Sequence, residues 1–197
     1  MEGSIVLIGG TSHAGKSSLA KRLAQQRDAR VLSTDTLARH PGRPWGVVRD
    51  HVREHYMTLT VDELISDVVR HYESVWPQVL EAIDQHIAQS DGGLLVVEGS
   101  AVLPHLAREI IKDGVSMVWI TAPRSDLASR IRSESSYDHL PIEERRLVDR
   151  FIVQTLVFDE RVRSECAHHG LRLFANSSSH DAVELATAWI HGDASRG

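Results

Sequence analysis

Residues 4–23 read Ser4-Ile5-Val6-Leu7-Ile8-Gly9-Gly10-Thr11-Ser12-His13-Ala14-Gly15-Lys16-Ser17-Ser18-Leu19-Ala20-Lys21-Arg22-Leu23, and the fold follows from how this stretch is read. The apolar run from Ile5 to Ile8 has strand length and stops at two glycines. Gly10 to Ser17 then fits the pattern G-x-x-x-x-G-K-[ST]. Beyond it, Leu19, Ala20 and Leu23 fall on one side of a helical period, with Lys21 and Arg22 on the other. A strand, a glycine loop and a helix, in that order, are the context this motif requires. Gly10 and Gly15 let the backbone turn tightly and approach a polyanion. The N–H groups of residues 12 to 17 are then expected to form an anion nest, reinforced by the unpaired amides and positive dipole end of the helix. The expected phosphate-binding residues are Gly10, Thr11, Ser12, His13, Ala14, Gly15, Lys16, Ser17 and Ser18. Lys16 is expected at the β- and γ-phosphates and the Ser17 hydroxyl at Mg²⁺, so the implied ligand is a nucleoside triphosphate.

The remaining composition narrows the setting. A chain of 197 residues, 42% apolar and 25% charged, is long enough for one domain with a real core. The net charge of −5 argues against a nucleic-acid partner, which needs a basic face. The single cysteine, Cys166, rules out a disulfide framework within the chain and fits a reducing compartment. No apolar run approaches ~18 residues, so no membrane partner is expected. The first strand begins almost at once, leaving no room for a signal peptide, and the expected location is cytoplasmic. The sequence is silent on oligomeric state.

Apolar runs recur at 5–8, 30–33, 94–97, 117–120 and 171–174, with helical patterns between them. That alternation predicts an α/β fold with a largely parallel sheet buried on both faces. Binding groups then belong at the carboxyl ends of the strands, at Gly9, Asp35, Glu98, Thr121 and Asn176. Asp35, in Ser33-Thr34-Asp35-Thr36, has two compatible readings: acceptor of a substrate hydroxyl proton, as general base or as orienting group, or helix N-cap. Glu98 ends a central strand and either serves Mg²⁺ or a nucleophile, or caps the next helix. Arg39 and Arg43 flank the Pro- and Gly-rich loop 40–46, either as partners for an anionic substrate group or as solvated surface charges. Asn176 borders the nucleotide base or is an ordinary turn residue.

Residues 46 to 89 carry no strand signal. Val47, Val48, Val52 and Tyr56 predict one helix, and Thr60-Val61-Asp62-Glu63 is a capping box that opens a long amphipathic second one, which Pro77 should kink or divide. His51 and His55 are four apart, but no third ligand accompanies them, so the pair reads as ordinary histidines. A helix from 103 to 113, one from 125 to 132, a long one ending at Gly170 and a last one over 181–191 complete the pattern. Arg130 and Arg132 stand before a serine-rich stretch, as the root of a mobile lid or as ordinary cations at a helix C-terminus.

Together the GGTSHAGKSS loop, STDTLAR after the second strand and VVEGSAVLP after the third resemble the nucleoside/nucleotide-kinase-like branch of phosphate-loop proteins. That branch includes shikimate, gluconate and chloramphenicol kinases, and the nearest likeness is to 2-phosphoglycerate kinase-like proteins. The resemblance implies a three-layer α/β/α fold with a five-stranded parallel sheet in the order 2-3-1-4-5. It also implies ATP, Mg²⁺ and phosphoryl transfer to a small hydroxylated molecule. By the same likeness Asp35 is the substrate-binding carboxylate and Arg130 a nucleotide-contacting arginine. The expected organisation is one domain over 1–197, with a helical substrate-side insertion at about 40–90 and a short lid at about 132–141. The expected roles are catalysis for Lys16, Asp35 and Arg130, nucleotide contact for Arg130 and Asn176, substrate contact for Asp35, Arg39, Arg43 and Glu98, and metal binding for Ser17 and Glu98. Two departures from the family pattern are the arginine-poor lid and the long, histidine-rich insertion. A nucleotide-gated module acting through a protein partner is the alternative, weakened as a GTPase by the lack of an Asn-Lys-x-Asp motif.

Overall fold

The alternating pattern folds as β1 (Ser4–Gly10), α1 (Lys16–Arg27), β2 (Arg30–Ser33), α2 (Thr34–Leu37), α3 (Asp50–Thr58), α4 (Val61–Ala88), β3 (Leu94–Glu98), α5 (Pro104–Ala107), β4 (Val115–Thr121), α6 (Arg124–Glu134), α7 (Ile142–His169) and β5 (Leu173–Ala175). A 3₁₀ turn, Tyr137–His139, precedes α7. The computed structural model describes residues 4–37, 42–89, 93–110, 114–176, 184, 186, 187 and 190. The strands form one sheet in the order β2-β3-β1-β4-β5, and every pairing is parallel. This is the phosphate-loop α/β fold with the strand order the resemblance implied.

Side chains of the central strands divide by parity. Ile5, Leu7, Leu95 and Val97 enter one core with α4, α5 and α7. Val6, Ile8, Leu94 and Val96 enter the other with α1 and with Ala186 and Ile190. A strand buried on both faces has no polar side to show, which is why these segments read as continuous apolar runs. The helix expected over 181–191 lies mostly outside the described residues; Glu184, Ala186, Thr187 and Ile190 are helical.

α4 starts where the sequence says. Thr60 Oγ1 accepts from the Glu63 amide at 3.3 Å, and Glu63 Oε2 accepts from the Thr60 amide at 2.7 Å. Such caps are worth about 1 kcal/mol. Pro77 does not divide the helix, which runs unbroken from Val61 to Ala88. Pro77 is on the exposed side, and the carbonyl it leaves unpaired belongs to Glu73, also exposed, so the core face of Val75, Trp76 and Val79 is untouched.

Two other expectations need correction. The helix expected to include Val47 begins only at Asp50, because Gly46 adopts a φ of +74° and leaves Val47 98% exposed, with no core to face. The helix expected over 103–113 is a single turn, Pro104–Ala107, because the amides of Glu109 and Ile110 bond three residues back rather than four. Residues 111–113 lie outside the described set.

The insertion helices are packed into the body of the protein. Val52 and Tyr56 of α3 meet Leu64 of α4 and Leu147 of α7. The segment expected as a lid is likewise tied to α7: Tyr137 donates to Asp149 at 2.8 Å, and Arg145 donates to the carbonyls of Leu140 at 2.9 Å and Asp138 at 2.7 Å.

Candidate active site

β1 lies between β3 and β4, so the loop after it opens at the point where the chain's crossovers change direction, the usual ligand crevice of an open parallel sheet. Gly10 (φ +131°) and Gly15 (φ +114°) bracket the loop. A Cβ on Gly10 would lie 2.0 Å from the Ile120 carbonyl oxygen, and one on Gly15 would lie 2.7 Å from Asn176 Nδ2. Both positions therefore demand glycine for conformation and for space.

Lys16 starts α1 and is nearly buried, its Nζ donating to the Thr11 carbonyl at 2.7 Å. Burial pushes the ammonium's pKa down, while the charges of Glu98, Asp35 and Asp159 act to restore it. The cation is thus poised among acids rather than among solvent. The Ser17 hydroxyl donates to Glu98 Oε2 at 3.2 Å. Glu98 is 5% exposed and stands in register with Ile8 of β1 and Ser33 of β2, which fixes its height at the strand ends. A hydroxyl and a carboxylate oxygen at this spacing are hard donors of the kind Mg²⁺ takes beside phosphate oxygens, so the pair fits that ion. Among the described residues no group of three or more His, Cys, Asp or Glu is disposed to hold a metal by itself.

The rim of the loop is held from outside. Arg130 donates to the His13 carbonyl at 3.0 Å and the Asn176 carbonyl at 3.5 Å, and Asn176 Nδ2 donates to the Ala14 carbonyl at 3.0 Å. Both residues, expected at the nucleotide, are found bracing the phosphate loop itself. Ala14 is fully buried and Ser18 exposed on the first turn of α1.

His13 sits at φ +63° with its ring between two partners, Ser12 Oγ at 2.9 Å from Nδ1 and Glu134 Oε2 at 2.8 Å from Nε2. Burial first, then the charges of Arg43, Lys16 and Arg130, push its pKa down to about 4. A neutral ring satisfies both contacts at once: Nδ1 accepts from the Ser12 hydroxyl and the Nε2 hydrogen goes to Glu134. Glu134 also pairs with Arg43, whose guanidinium lies 5.5 Å from the Trp45 ring. Arg43, expected at the substrate, holds these contacts here. Arg39 lies outside the described residues.

Asp35 is not an N-cap. It is the second residue of the one-turn helix α2, exposed, and it lines a cavity of about 530 Å³ that reaches from Thr11 and Ser12 of the loop. The cavity continues past Ser100 to Trp45, Tyr56, Tyr72, Phe151 and Phe158. Helical periodicity assigns the helix-borne rings to core positions and does not single out Gln154, Thr155 or Asp159, which interrupt the buried face of α7 with polar side chains. That interruption was the available signal. Thr155 receives the Thr11 hydroxyl on its carbonyl at 3.3 Å. Asp159, 2% exposed, accepts from the Thr121 hydroxyl at 2.6 Å and from Arg163 Nε at 2.6 Å, and Arg163 reaches the Ala122 carbonyl at 2.8 Å. Thr121 is thereby a clamp between the end of β4 and α7.

Of the histidines set aside in the sequence, His55 has its Nδ1 3.7 Å from Asp67 and its ring against Tyr56. Cys166 is buried and its thiol pushed up to about 12, as plain packing requires. No helix among the described residues is long and apolar enough to cross a membrane.

Residues 6–149 match the AAA domain family. Among solved structures, a gluconokinase from Sinorhizobium meliloti 1021 is 25% identical, with 99% of this chain and 95% of that one covered and a TM-score of 0.53. A protein from Chloroflexus aurantiacus J-10-fl shares the fold at 13% identity and a TM-score of 0.56, with 100% of this chain and 99% of that one covered. No curated protein matches the chain.

Proposed function

The chain belongs to the AAA domain family, and from that premise we propose that it is an ATP-dependent kinase that transfers the γ-phosphoryl group to a hydroxyl of a small molecule. One observation carries the reading: Lys16, Ser17, Glu98 and Asp35 converge at neighbouring strand ends beside a cavity sized for a small molecule. The likeness to a gluconokinase supports phosphotransfer to an alcohol. The cavity also weighs against a module that works only through a protein partner, since such a module has no need of a small-molecule cleft beside Asp35.

In this mechanism the loop amides and Lys16 bind the phosphates, the ammonium exchanging the Thr11 carbonyl for phosphoryl oxygens. Ser17 and Glu98 would hold Mg²⁺, which, when bound, neutralises charge on the β- and γ-phosphate oxygens. Asp35 orients the acceptor hydroxyl and takes its proton. Arg130 and Asn176 keep the loop carbonyls turned outward, so that the amides face the phosphates, and Arg130 adds positive charge at the rim. Phosphoryl transfer is chiefly positioning and charge neutralisation, so this small set suffices.

The proposal extends to organisation and setting: residues 1–197 act as one unit, with α3 and α4 on the acceptor side, in the cytoplasm. The motif likeness to 2-phosphoglycerate kinase-like proteins makes a phosphorylated hydroxy acid one acceptor to assay. Its weak point is that Arg43 is the only lysine or arginine among the described lining residues. The test is a metabolite-library screen for ATP-dependent mass gain of one phosphate, with Lys16→Ala as control. ATP consumption that rises only with a protein partner would replace the kinase reading with the regulatory one.

A further inference from the structure

Given phosphoryl transfer at this site, the reading on which everything in this section rests, the lining of the cavity narrows the acceptor. The rings that line it are packed edge to face: Trp45 and Phe151 centroids are 5.1 Å apart at 84°, Tyr56 and Phe151 6.1 Å apart at 68°, Tyr72 and Phe158 5.8 Å apart at 68°. Such pairs hold one another in place, so the wall is formed before any ligand arrives. Tyr56 is 1% exposed, and burial pushes the phenols of both Tyr56 and Tyr72 up, keeping them neutral.

Polar side chains line the cavity as well, Asp35, Ser100, Thr155 and Gln154 among them, with Thr11 and Ser12 of the phosphate loop. Gln154 already donates to the Leu64 carbonyl at 3.2 Å, and Arg43 is paired with Glu134 and laid against Trp45. An acceptor carrying a carboxylate or phosphate would find Arg43, already paired, as the one lysine or arginine among the described lining residues. A polyol would set part of its hydroxyls against the five rings, and unpaired buried polar groups are expensive.

We propose that the acceptor is a neutral alcohol with an aromatic or comparably flat apolar body. Its hydroxyl points to Asp35 and the phosphate loop, and its body lies against Trp45, Tyr56, Tyr72, Phe151 and Phe158. The hydroxyl oxygen bonds to the γ-phosphorus as the bond from that phosphorus to the β,γ-bridging oxygen breaks. ADP leaves with the bridging electron pair, and the hydroxyl proton passes to Asp35. A nucleoside and a non-nucleoside aromatic alcohol share this chemistry.

The full chain is assayed with Mg²⁺ and ATP against three sets of acceptors: non-nucleoside aromatic alcohols, nucleosides, and a polar set of gluconate, 2-phosphoglycerate and polyols. Product is read as mass gain of one phosphate, and acceptor binding as quenching of Trp45 fluorescence without nucleotide. A Trp45→Phe chain identifies the signal. The expected result is kcat/KM at least roughly 100-fold higher for one of the aromatic sets than for the polar set. Trp45→Leu, in a loop, should raise KM for the aromatic acceptor roughly 10-fold with kcat held. If that chain fails to fold, Phe151→Leu serves the same purpose. Preference for nucleosides identifies the source and keeps the class. Phosphorylation confined to the polar set, with no aromatic compound bound, overturns the inference and leaves the kinase reading intact. Tight aromatic binding with no phosphate transferred to any compound keeps the cavity assignment and removes the kinase reading.

Discussion

Around the phosphate loop the contacts are hydrogen bonds to backbone: Lys16 to the Thr11 carbonyl, Arg130 to that of His13, Asn176 to that of Ala14. Along the rest of the cavity they are ring against ring, with Trp45, Tyr56 and Phe151 in one set of contacts and Tyr72 and Phe158 in another. The first kind of contact fixes the direction of amides and so suits a ligand part that never changes, the triphosphate. The second fixes shape and volume and suits the part that distinguishes one substrate from another. Asp35 stands where the two meet. On the proposed reading, the difference teaches that nucleotide binding and acceptor choice are separable, and that mutations on the two sides should fail in different ways.

The largest effect is expected from Lys16→Ala. With the ammonium gone, the charge of the transferring group loses its nearest fixed counter-charge, and turnover should fall by roughly 10³-fold or more. Single-turnover rates check this; a Lys16→Ala enzyme within tenfold of the parent would break the distinction at its stronger side. Asp35→Asn should lower kcat by about 10²-fold, with KM little moved. The low end of the general-base range applies because the transition state of phosphoryl transfer is loose and proton loss is late. If KM alone rose, Asp35 would belong to the acceptor side as a binding group only.

How much of this was legible in the sequence divides along the same line. The phosphate loop is written in contiguous residues, because a nest needs successive amides, and Gly10, Gly15, Lys16 and Ser17 announce it at fixed spacing. The strand order came from resemblance, and the parallel sheet from apolar runs buried on both faces. The cavity was not legible. Its rings come from a loop and three helices, and Tyr56, Phe151 and Phe158 occupy positions that helical periodicity assigns to core, because they face inward in either case. Nothing in the spacing says that one inward face closes on neighbours and another on a space. Arg130 and Asn176 were found by position, and their hydrogen bonds to loop carbonyls were not legible, since nothing in a sequence says which carbonyl a side chain meets.

Between the two sides runs the clamp at Asp159, and breaking it sharpens the comparison by testing stability without touching either ligand surface directly. Asp159→Ala strands the Thr121 hydroxyl and leaves Arg163 with the Ala122 carbonyl but no carboxylate at the junction of β4 and α7. The expected cost is about 3 kcal/mol, read from urea denaturation midpoints at constant m. A loss under about 1 kcal/mol would mean that water replaces the carboxylate there.

The smallest effect concerns His13, a side chain that belongs to the phosphate loop and also meets the acceptor-side aromatics, 6.2 Å from Trp45 and 6.4 Å from Phe151. It faces Glu134 and Arg130 of α6, Arg43 of the loop before α3 and Lys16 of α1. In the unfolded chain the imidazole takes a proton near 6.5; in the folded protein it does so only at about 4. Between those values the unfolded state binds more protons, so stability must fall as pH drops through that window and be fully present above it. His13→Asn keeps a residue that tolerates a positive φ and removes the titration. Melting temperatures at pH 7.5 and pH 5 should therefore differ less for His13→Asn than for the parent. His55 and His169, whose pKa values are also pushed down, contribute equally to both proteins and drop out of the difference. Equal pH slopes in the two proteins would mean that Glu134 holds the protonated ring as readily as the neutral one, and that the loop carries an extra positive charge at low pH toward whatever it binds.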